Sequence, residues 1–267
     1  MVRALLSVLI LAAIAGTSNA QNVAYISANP ESGPWGSQAY RNDFNTVFGE
    51  SGWRESTFAT ADTSLFDPKE TSLLVIEGGD WMADEMFGYL TQNSDALQKF
   101  VYDGGRLIIN AAPNTGENIP MFGGGVGLSY NRGTDYNYTA TPIDFTHPVF
   151  AGPYGKVQSL EGNYAGHATV YDNTGLFQPL LTGENGGTML AQASYGSGFA
   201  LLGGLTTPWA ENNAFDSGQW RSFNQNMLAY AGGGDYSATQ AVPEPASLTA
   251  IGLGAMALIR RRRAKKA

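Results

Sequence analysis

The sequence predicts an α/β fold in which a mostly parallel sheet has helices on both faces. Short apolar runs without alternation, Leu73–Ile76 and Leu107–Ile109, are typical of strands buried on both faces. Segments with helical periodicity separate such runs, as expected for a parallel sheet. Two later runs, Thr188–Ser194 and Phe199–Leu205, flank Tyr195-Gly196-Ser197-Gly198 and predict one β-hairpin.

The remaining elements of the fold are predicted by local patterns. Val23–Ala28 and Arg54–Ala59 favour strands. Between them, one face of a helix is predicted by aromatic and apolar residues at i, i+4, i+7 and i+8, namely Tyr40, Phe44, Val47 and Phe48. Another helix is predicted after Ser94, which is its candidate cap. In this helix Leu97, Phe100 and Val101 are expected to face inward. The last predicted helix is Trp220–Ala231, with Ser217 as its candidate cap.

The amino terminus predicts a secretory signal peptide over residues 1–20. Arg3 provides the positive charge, Leu5–Ala15 the apolar stretch, and Ser18-Asn19-Ala20 the small residues of a signal-peptidase site. We expect cleavage after Ala20. The alternative is a retained membrane helix, for which the apolar stretch is short.

The carboxyl terminus, residues 242–267, has three parts. Pro243, Glu244 and Pro245 come first, followed by the apolar run 246–259. Six cations end the chain: Arg260, Arg261, Arg262, Arg263, Lys265 and Lys266. The run would span about 21 Å as a helix, against roughly 30 Å for a bilayer core. It therefore predicts a short transmembrane helix with the cations on the cytoplasmic side.

This order of proline motif, short apolar run and arginine cluster resembles the PEP-CTERM sorting signal. The resemblance implies that Pro243, Glu244 and Pro245 are recognised by a membrane-embedded exosortase that cuts near them. The protein would then begin as an inner-membrane precursor and end at the cell surface or in the extracellular matrix. A tail anchor that is never cut is the alternative. The predicted organisation is a signal peptide (1–20), an α/β domain (21–234), a linker (235–241) and the sorting signal (242–267).

The charge of the exported part argues against nucleic acid as a partner. Of the 15 Lys and Arg residues, one lies in the signal peptide and six lie in the tail, which leaves 8 cations against 23 Asp and Glu. Residues 21–245 therefore carry about −15, whereas phosphate binding needs basic patches.

The sequence has no cysteine, which excludes disulfides, zinc–thiolate sites and a cysteine nucleophile.

The domain also resembles class I glutamine-amidotransferase-like domains, especially ThuA-like ones. Four stretches support the resemblance: LLVIEGGD (73–80), YDGGRLIINAAPN (102–114), THPVFAG (146–152) and YGSGFALLGG (195–204). The resemblance implies a flavodoxin-like three-layer sandwich with its site beyond the carboxyl ends of the strands, which is where open α/β sheets bind ligands. Enzymes of that family place a cysteine on the turn that here reads Asn110-Ala111-Ala112-Pro113, so their mechanism is absent.

A ligand crevice is predicted at that edge of the sheet. Tryptophans follow three predicted strands, and polar groups accompany them. The predicted crevice residues are Trp35, Glu77, Asp80, Trp81, Asn110, Asn114 and Trp209, with Glu31 and Glu211 nearby. Exposed aromatic faces beside carboxylates and amides suit a sugar ring. The alternative is that the tryptophans pack against the domain's own helices. Glu77 and Asp80 could also bind Ca²⁺ or Mg²⁺, although capping of the following helix is preferred.

We therefore expect a non-catalytic surface or matrix protein that binds exopolysaccharide or a protein partner, without a cofactor or metal. His147 and His167, the two histidines, are expected to be structural because their spacing is not a metal signature. The alternative is a hydrolase of extracellular glycans that uses a carboxylate pair such as Glu77 and Asp80.

Overall fold

The structure is a computed structural model that describes residues 22–28, 31, 33–79, 82–113, 117–130, 137–214 and 216–233. The predicted signal peptide with Ala20, and the carboxyl-terminal motif, apolar run and cations, lie outside the described residues. Asp80, Trp81 and Asn114 lie outside them as well. None of the helices within the described ranges has both the length and the apolar composition of a membrane span.

The described residues form strands and helices that alternate in the first half of the chain. The strands are β1 (Val23–Ser27), β2 (Trp53–Thr57), β3 (Leu73–Gly78), β4 (Arg106–Ala111), β5 (Glu117–Ile119), β6 (Val126–Ser129), β7 (Asn137–Pro142), β8 (Ala151–Gly152), β9 (Gly155–Lys156), β10 (Leu160–Gly166), β11 (Thr169–Asp172), β12 (Gln178–Gly183), β13 (Thr188–Tyr195) and β14 (Gly198–Gly203). The helices are α1 (Ala39–Phe48), α2 (Ala83–Gln92), α3 (Ser94–Tyr102), α4 (Thr207–Asn213) and α5 (Ser217–Ala231). Single 3-10 turns occupy Pro34–Gly36 and Thr63–Phe66.

Five parallel strands form the half of the sheet that the sequence predicted. Their order is β2-β1-β3-β4-β14, and every neighbouring pair is parallel. Counted along the chain, this order is 2-1-3-4-5, which is the flavodoxin-like arrangement. The prediction of a flavodoxin-like α/β fold is therefore confirmed.

Antiparallel strands extend this half beyond β14. The hairpin of β13 and β14 is present as predicted, with Leu190 opposite Gly203 and Tyr195 opposite Gly198. The sheet then continues through β12, β7 and β10, and β11, β6 and β5 attach beside β13. The antiparallel part is thus much larger than the single hairpin predicted from the sequence.

Helices cover both faces of the sheet, which gives three layers. On one face α2 and α3 pack on the sheet, and Leu97, Phe100 and Val101 are fully buried there, as predicted. On the other face lie α1, α4 and α5, where Tyr40 and Phe44 are buried.

Both predicted serine caps are wrong. Ser94 is the first residue of α3, and the preceding Asn93 donates its side-chain amide to the carbonyl of Tyr89, in the last turn of α2. In α5 the cap is Asp216, whose carboxylate accepts a hydrogen bond from the backbone N–H of Gln219. In each case the residue before the serine occupies the capping position, so the cap lies one residue earlier than predicted.

Candidate functional site

The carboxyl ends of β1, β3, β4 and β14 lie at one edge of the sheet because these strands are parallel. The chain leaves this edge through the Pro34–Gly36 turn after β1 and through α4 after β14. These segments contact each other, since the Ser37 hydroxyl donates to the Pro208 carbonyl (2.5 Å) and accepts from the Asn212 amide (2.7 Å). The Trp35 and Trp209 segments therefore meet, as the sequence predicts for loops at a common edge.

Glu77 lies at the centre of this edge, but its carboxylate is enclosed by the protein. It is 5% exposed. Its Oε2 accepts from the Tyr25 hydroxyl (2.9 Å), and its Oε1 accepts from the Asn110 amide (2.9 Å) and the Thr207 hydroxyl (3.1 Å). Burial raises the pKa of Glu77, and these three donors oppose the shift. A sugar or a metal ion would have to displace one of them to contact the carboxylate.

Asn110, near the carboxyl end of β4, joins this strand to the segment that follows β14. Besides donating to Glu77, its amide donates to the Leu205 carbonyl and its Oδ1 accepts from the Leu205 N–H, both at 2.9 Å. The amide therefore fixes the segment after β14 to the end of β4. Ala111 and Ala112, which follow it, are fully buried.

Glu77 does not cap α2, so the preferred role suggested by the sequence is wrong for this residue. The capping position of α2 is Met82, which makes no side-chain capping bond. The oxygens of Glu77 are instead directed toward Tyr25, Asn110 and Thr207, on the side of the sheet that faces α4. Asp80 lies outside the described residues.

A second pair of buried carboxyl groups, Asp43 and Glu211, lies where α1, α4 and α5 meet. They are 0% and 3% exposed. The Asn224 amide bridges them, at 2.6 Å from Asp43 Oδ2 and 3.1 Å from Glu211 Oε1, and the Gln225 amide donates to Asp43 Oδ1 at 2.8 Å. Burial and the neighbouring Asp43 raise the pKa of Glu211 to about 10. Glu211 therefore keeps its proton at neutral pH and donates it to Asp43.

Sequence reasoning named Glu211 as a crevice residue and missed Asp43. A signal for Asp43 was present, because it falls at i+3 from Tyr40, on the inward face of α1, where an acidic residue needs a buried partner.

Two tryptophans of the predicted crevice, Trp35 and Trp209, lie in different surroundings. Trp35 has a left-handed backbone (φ 53°), and its ring lies against Gly79 so closely that an added Cβ there would come within 3.1 Å of it. Trp209 lies on α4, and its ring packs edge-on against Tyr164 with centroids 6.0 Å apart. Trp35 is thus packed against the β3–α2 segment, whereas Trp209 is continuous with an exposed aromatic group.

Tyr138, Tyr164 and Trp209 form that group, which we call the aromatic surface. Tyr138 and Tyr164 are 51% and 43% exposed, and their ring centroids are 5.8 Å apart. Tyr164 has a left-handed backbone (φ 66°), which is uncommon for a bulky residue, and its carbonyl accepts from the hydroxyl of Thr206. Thr206 directly precedes Thr207, so the aromatic surface adjoins the Glu77 cluster. Sequence reasoning missed both tyrosines, because nothing local marks them.

The histidines are packed as side chains rather than presented as ligands. His147 Nδ1 accepts from the Val149 N–H (3.3 Å), its ring packs edge-on against Tyr230, and burial lowers its pKa. His167 is 5% exposed and lies beside the ring of Tyr130. Within the described ranges, His, Asp and Glu side chains do not gather in groups of three or more that could hold a metal ion.

Comparison with known proteins identifies the carboxyl terminus. Residues 241–263 match the PEP-CTERM protein-sorting motif, which confirms the predicted sorting signal. The motif indicates an exported, membrane-anchored precursor that an exosortase-type enzyme processes and that is sorted to the cell surface. No curated protein matches the chain.

Solved structures resemble the α/β domain at low sequence identity. A protein from Parabacteroides merdae described as putative ThuA-like is 17% identical and covers 84% of this chain and 93% of its own, with a TM-score of 0.43. A second protein with that description, from Bacteroides uniformis, is 10% identical and covers 79% of this chain and 91% of its own, with a TM-score of 0.48. A putative GMP synthase protein from Thermoplasma acidophilum is 10% identical and covers 78% of this chain and 95% of its own, with a TM-score of 0.48. The fold assignment itself depends on the strand order described above.

Proposed function

We propose that the α/β domain of this exported protein is a non-catalytic module that binds extracellular polysaccharide through Tyr138, Tyr164 and Trp209. The observation that carries the proposal is Tyr164, whose left-handed backbone holds a bulky ring 43% exposed between the rings of Tyr138 and Trp209. Such a conformation costs free energy of order 1–3 kcal/mol, and it is found mainly at functional sites. Aromatic faces suit the apolar faces of sugar rings.

The surroundings of the buried carboxyl groups support binding rather than hydrolysis. General acid and base catalysis requires a group within hydrogen-bonding reach of the substrate. Glu77 is closed off by Tyr25, Asn110 and Thr207, and Asp43 and Glu211 are at most 3% exposed. These carboxyl groups instead hold α4 against the sheet, and α4 carries Trp209.

The sorting motif supplies the cellular context of the proposal. We infer that signal peptidase removes residues 1–20 and that the exosortase cuts near Pro243-Glu244-Pro245, which leaves the domain at the surface or in the polysaccharide matrix. Mass spectrometry of the mature protein distinguishes this route from a tail anchor, because an uncut anchor retains Arg260–Arg263.

The binding proposal is tested with the protein purified from the producing cells and the extracellular polysaccharide of the same cells. Tyr164→Gly removes the ring and places at φ 66° the residue that tolerates it best. We expect roughly tenfold weaker binding, measured by affinity electrophoresis or calorimetry, with the melting temperature retained. Trp209→Ala is expected to weaken binding in the same direction.

Tyr102→Ala is the matched control. Tyr102 is 60% exposed but lies at the opposite, amino edge of the parallel strands, in a groove with Lys99 and Asp103. This variant should bind as the unchanged protein does. Equal binding by the Tyr164→Gly and Tyr102→Ala variants, with both folded, would show that the aromatic surface is not the site.

A further inference from the structure

We infer that the aromatic surface is selective for uncharged polysaccharide, and that Glu184 and Glu161 beside it exclude acidic polysaccharide. The inference rests on the proposed function, since it concerns the ligand class of the same site. It follows from the position of two acidic residues around one residue of β7, and from where four of the seven described basic residues are held.

Glu184 lies at the base of Tyr138. Its Oε1 accepts from the backbone N–H of Tyr138 (3.4 Å) and its Oε2 accepts from the hydroxyl of Thr139 (3.1 Å). The backbone N–H of Glu184 in turn donates to the carbonyl of Thr139 (3.2 Å). The carboxylate is therefore held against the backbone of β7 at Tyr138 and Thr139, although Glu184 itself is exposed.

Glu161 lies on the other side of the same threonine. It is on β10, directly across from Thr139 in the antiparallel pairing of β10 and β7. Side chains directly opposite in such a pair lie about 4.5–5.5 Å apart at Cβ. Glu161 is exposed, and its backbone is fixed because its carbonyl accepts from the Trp220 indole N–H (3.0 Å). Two acidic residues thus flank Thr139, which adjoins Tyr138 on β7, and Tyr164 follows Glu161 on β10 itself.

Four of the seven described basic residues are held by partners away from the aromatic surface, and a fifth, Arg221 of α5, lies close enough to Asp43 and Glu211 to act on their charges. Arg41 pairs with Glu55 and Arg54 donates to Thr71, near β2 at the far edge of the sheet. Lys99 pairs with Asp103, and Arg106 donates to the Tyr230 carbonyl; both lie by the amino ends of the parallel strands.

The domain charge of about −15 acts in the same direction as the two carboxylates. A polymer of uronate or sulfate groups would approach the aromatic surface against like charge, which costs free energy. An uncharged polysaccharide avoids this repulsion, and its hydroxyl groups can donate to carboxylate oxygens.

The test uses one polysaccharide backbone in two charge states. Hydroxyethyl cellulose and carboxymethyl cellulose serve as defined probes, together with the neutral and acidic fractions of the cells' own polysaccharide separated by anion exchange. All binding is measured in EDTA, which removes cation bridges. We expect the neutral fraction to bind and the acidic fraction to bind at least roughly tenfold more weakly, with the difference shrinking in about 0.5 M salt because screening removes like-charge repulsion.

Glu184→Gln removes one of the two charges and should raise binding of the acidic fraction roughly fivefold, as expected for removal of a like charge close to the ligand. Glu85→Gln is the matched control, because it makes the same charge change on an exposed residue of α2, on the other face of the sheet. It should leave the ratio of acidic to neutral binding unchanged.

The outcomes separate this inference from the proposal beneath it. If the acidic fraction binds as tightly as the neutral one and Tyr164→Gly abolishes both, the surface binds polysaccharide but does not select by charge, and the inference is wrong. If Glu184→Gln and Glu85→Gln change the ratio equally, the selectivity comes from net charge and the assigned carboxylate is wrong. If neither fraction binds in a Tyr164-dependent way, the proposed function itself fails.

Discussion

The two faces of the sheet are built from different chemistry. On the side of α2 and α3, side chains such as Ile76, Phe100 and Ile109 form an apolar core. On the side of α1, α4 and α5, the core also contains buried carboxyl and amide groups, namely Glu77, Asn110, Asp43, Glu211, Asn224 and Gln225. Apolar burial is non-directional, whereas a hydrogen bond requires a distance and an angle. We infer that one face of the sheet mainly supplies stability, and that the other fixes the position of α4 and Trp209.

The apolar side should show the largest loss of stability. Phe100→Ala empties a site whose side chain is fully buried and packed against Gly105. We expect the free energy of unfolding to fall by about 3–5 kcal/mol, through lost burial and a cavity, in urea denaturation. Phe145→Ala, at a residue 52% exposed, should change it by less than about 0.5 kcal/mol. Equal losses in the two variants would mean that this face is not the main source of stability.

Asp43→Ala should cost less stability but disturb the position of α4. It leaves the buried amide of Gln225 without its acceptor and the amide of Asn224 with Glu211 alone, for a loss of about 2–4 kcal/mol. Polysaccharide binding should weaken as well, since Glu211 on α4 loses its partner, whereas Phe100→Ala should bind normally at temperatures where it is folded. If Asp43→Ala lowers stability without any effect on binding, the division between the two faces is wrong.

The smallest effect is the pH dependence from Glu211. The pKa of Glu211 is raised in the folded state. Its contribution to the free energy of unfolding is therefore full below the pKa of the unfolded chain, and it is lost as the pH rises toward the folded value of about 10. Stability should therefore fall from pH 7 to 9, by at most about 1.4 kcal/mol per pH unit for one proton. Glu211→Gln, whose amide can donate to Asp43 without titrating, should flatten this slope. Melting temperatures across that range provide the measurement.

The pH window avoids His147. Burial lowers the pKa of His147 in the folded state. Its contribution to the free energy of unfolding is therefore lost only as the pH falls below the ordinary pKa of histidine. A slope that remained unchanged in Glu211→Gln between pH 7 and 9 would contradict the assignment of the proton to Glu211.

The parallel half of the fold was predictable because β1, β3, β4 and β14 contain apolar runs and because α1 and α3 have an inward apolar stripe. The helices α2 and α4 were not predicted. The antiparallel half was not predictable, since strands such as β10, with the sequence LEGNYAG, lack both apolar runs and alternation. The helix caps were misplaced by one residue because an Asp or Asn before each serine takes the capping position.

For the candidate site, the sequence placed the predicted crevice residues at one edge of the sheet but did not give their exposure. Glu77 and Asn110 were expected to face a ligand. They are buried because Tyr25 and Thr207, which lie 52 and 130 residues from Glu77, converge on the carboxylate. Such long-range hydrogen bonds leave no local pattern. The same reason hid Tyr138 and Tyr164, which become neighbours only through the pairing of β7 with β10.

The bond from Arg106 to the end of α5 bears on how the end of the domain is held. The guanidinium donates to the carbonyls of Tyr230 and Ala231, in the last turn before the chain continues toward the sorting motif. The last turn of α5 is therefore bonded directly to β4, which lies between β3 and β14 in the interior of the sheet. The end of the domain that precedes the sorting motif is thus joined to the middle of the sheet rather than to an edge strand, so local unfolding of α5 would break contacts with the centre of the fold.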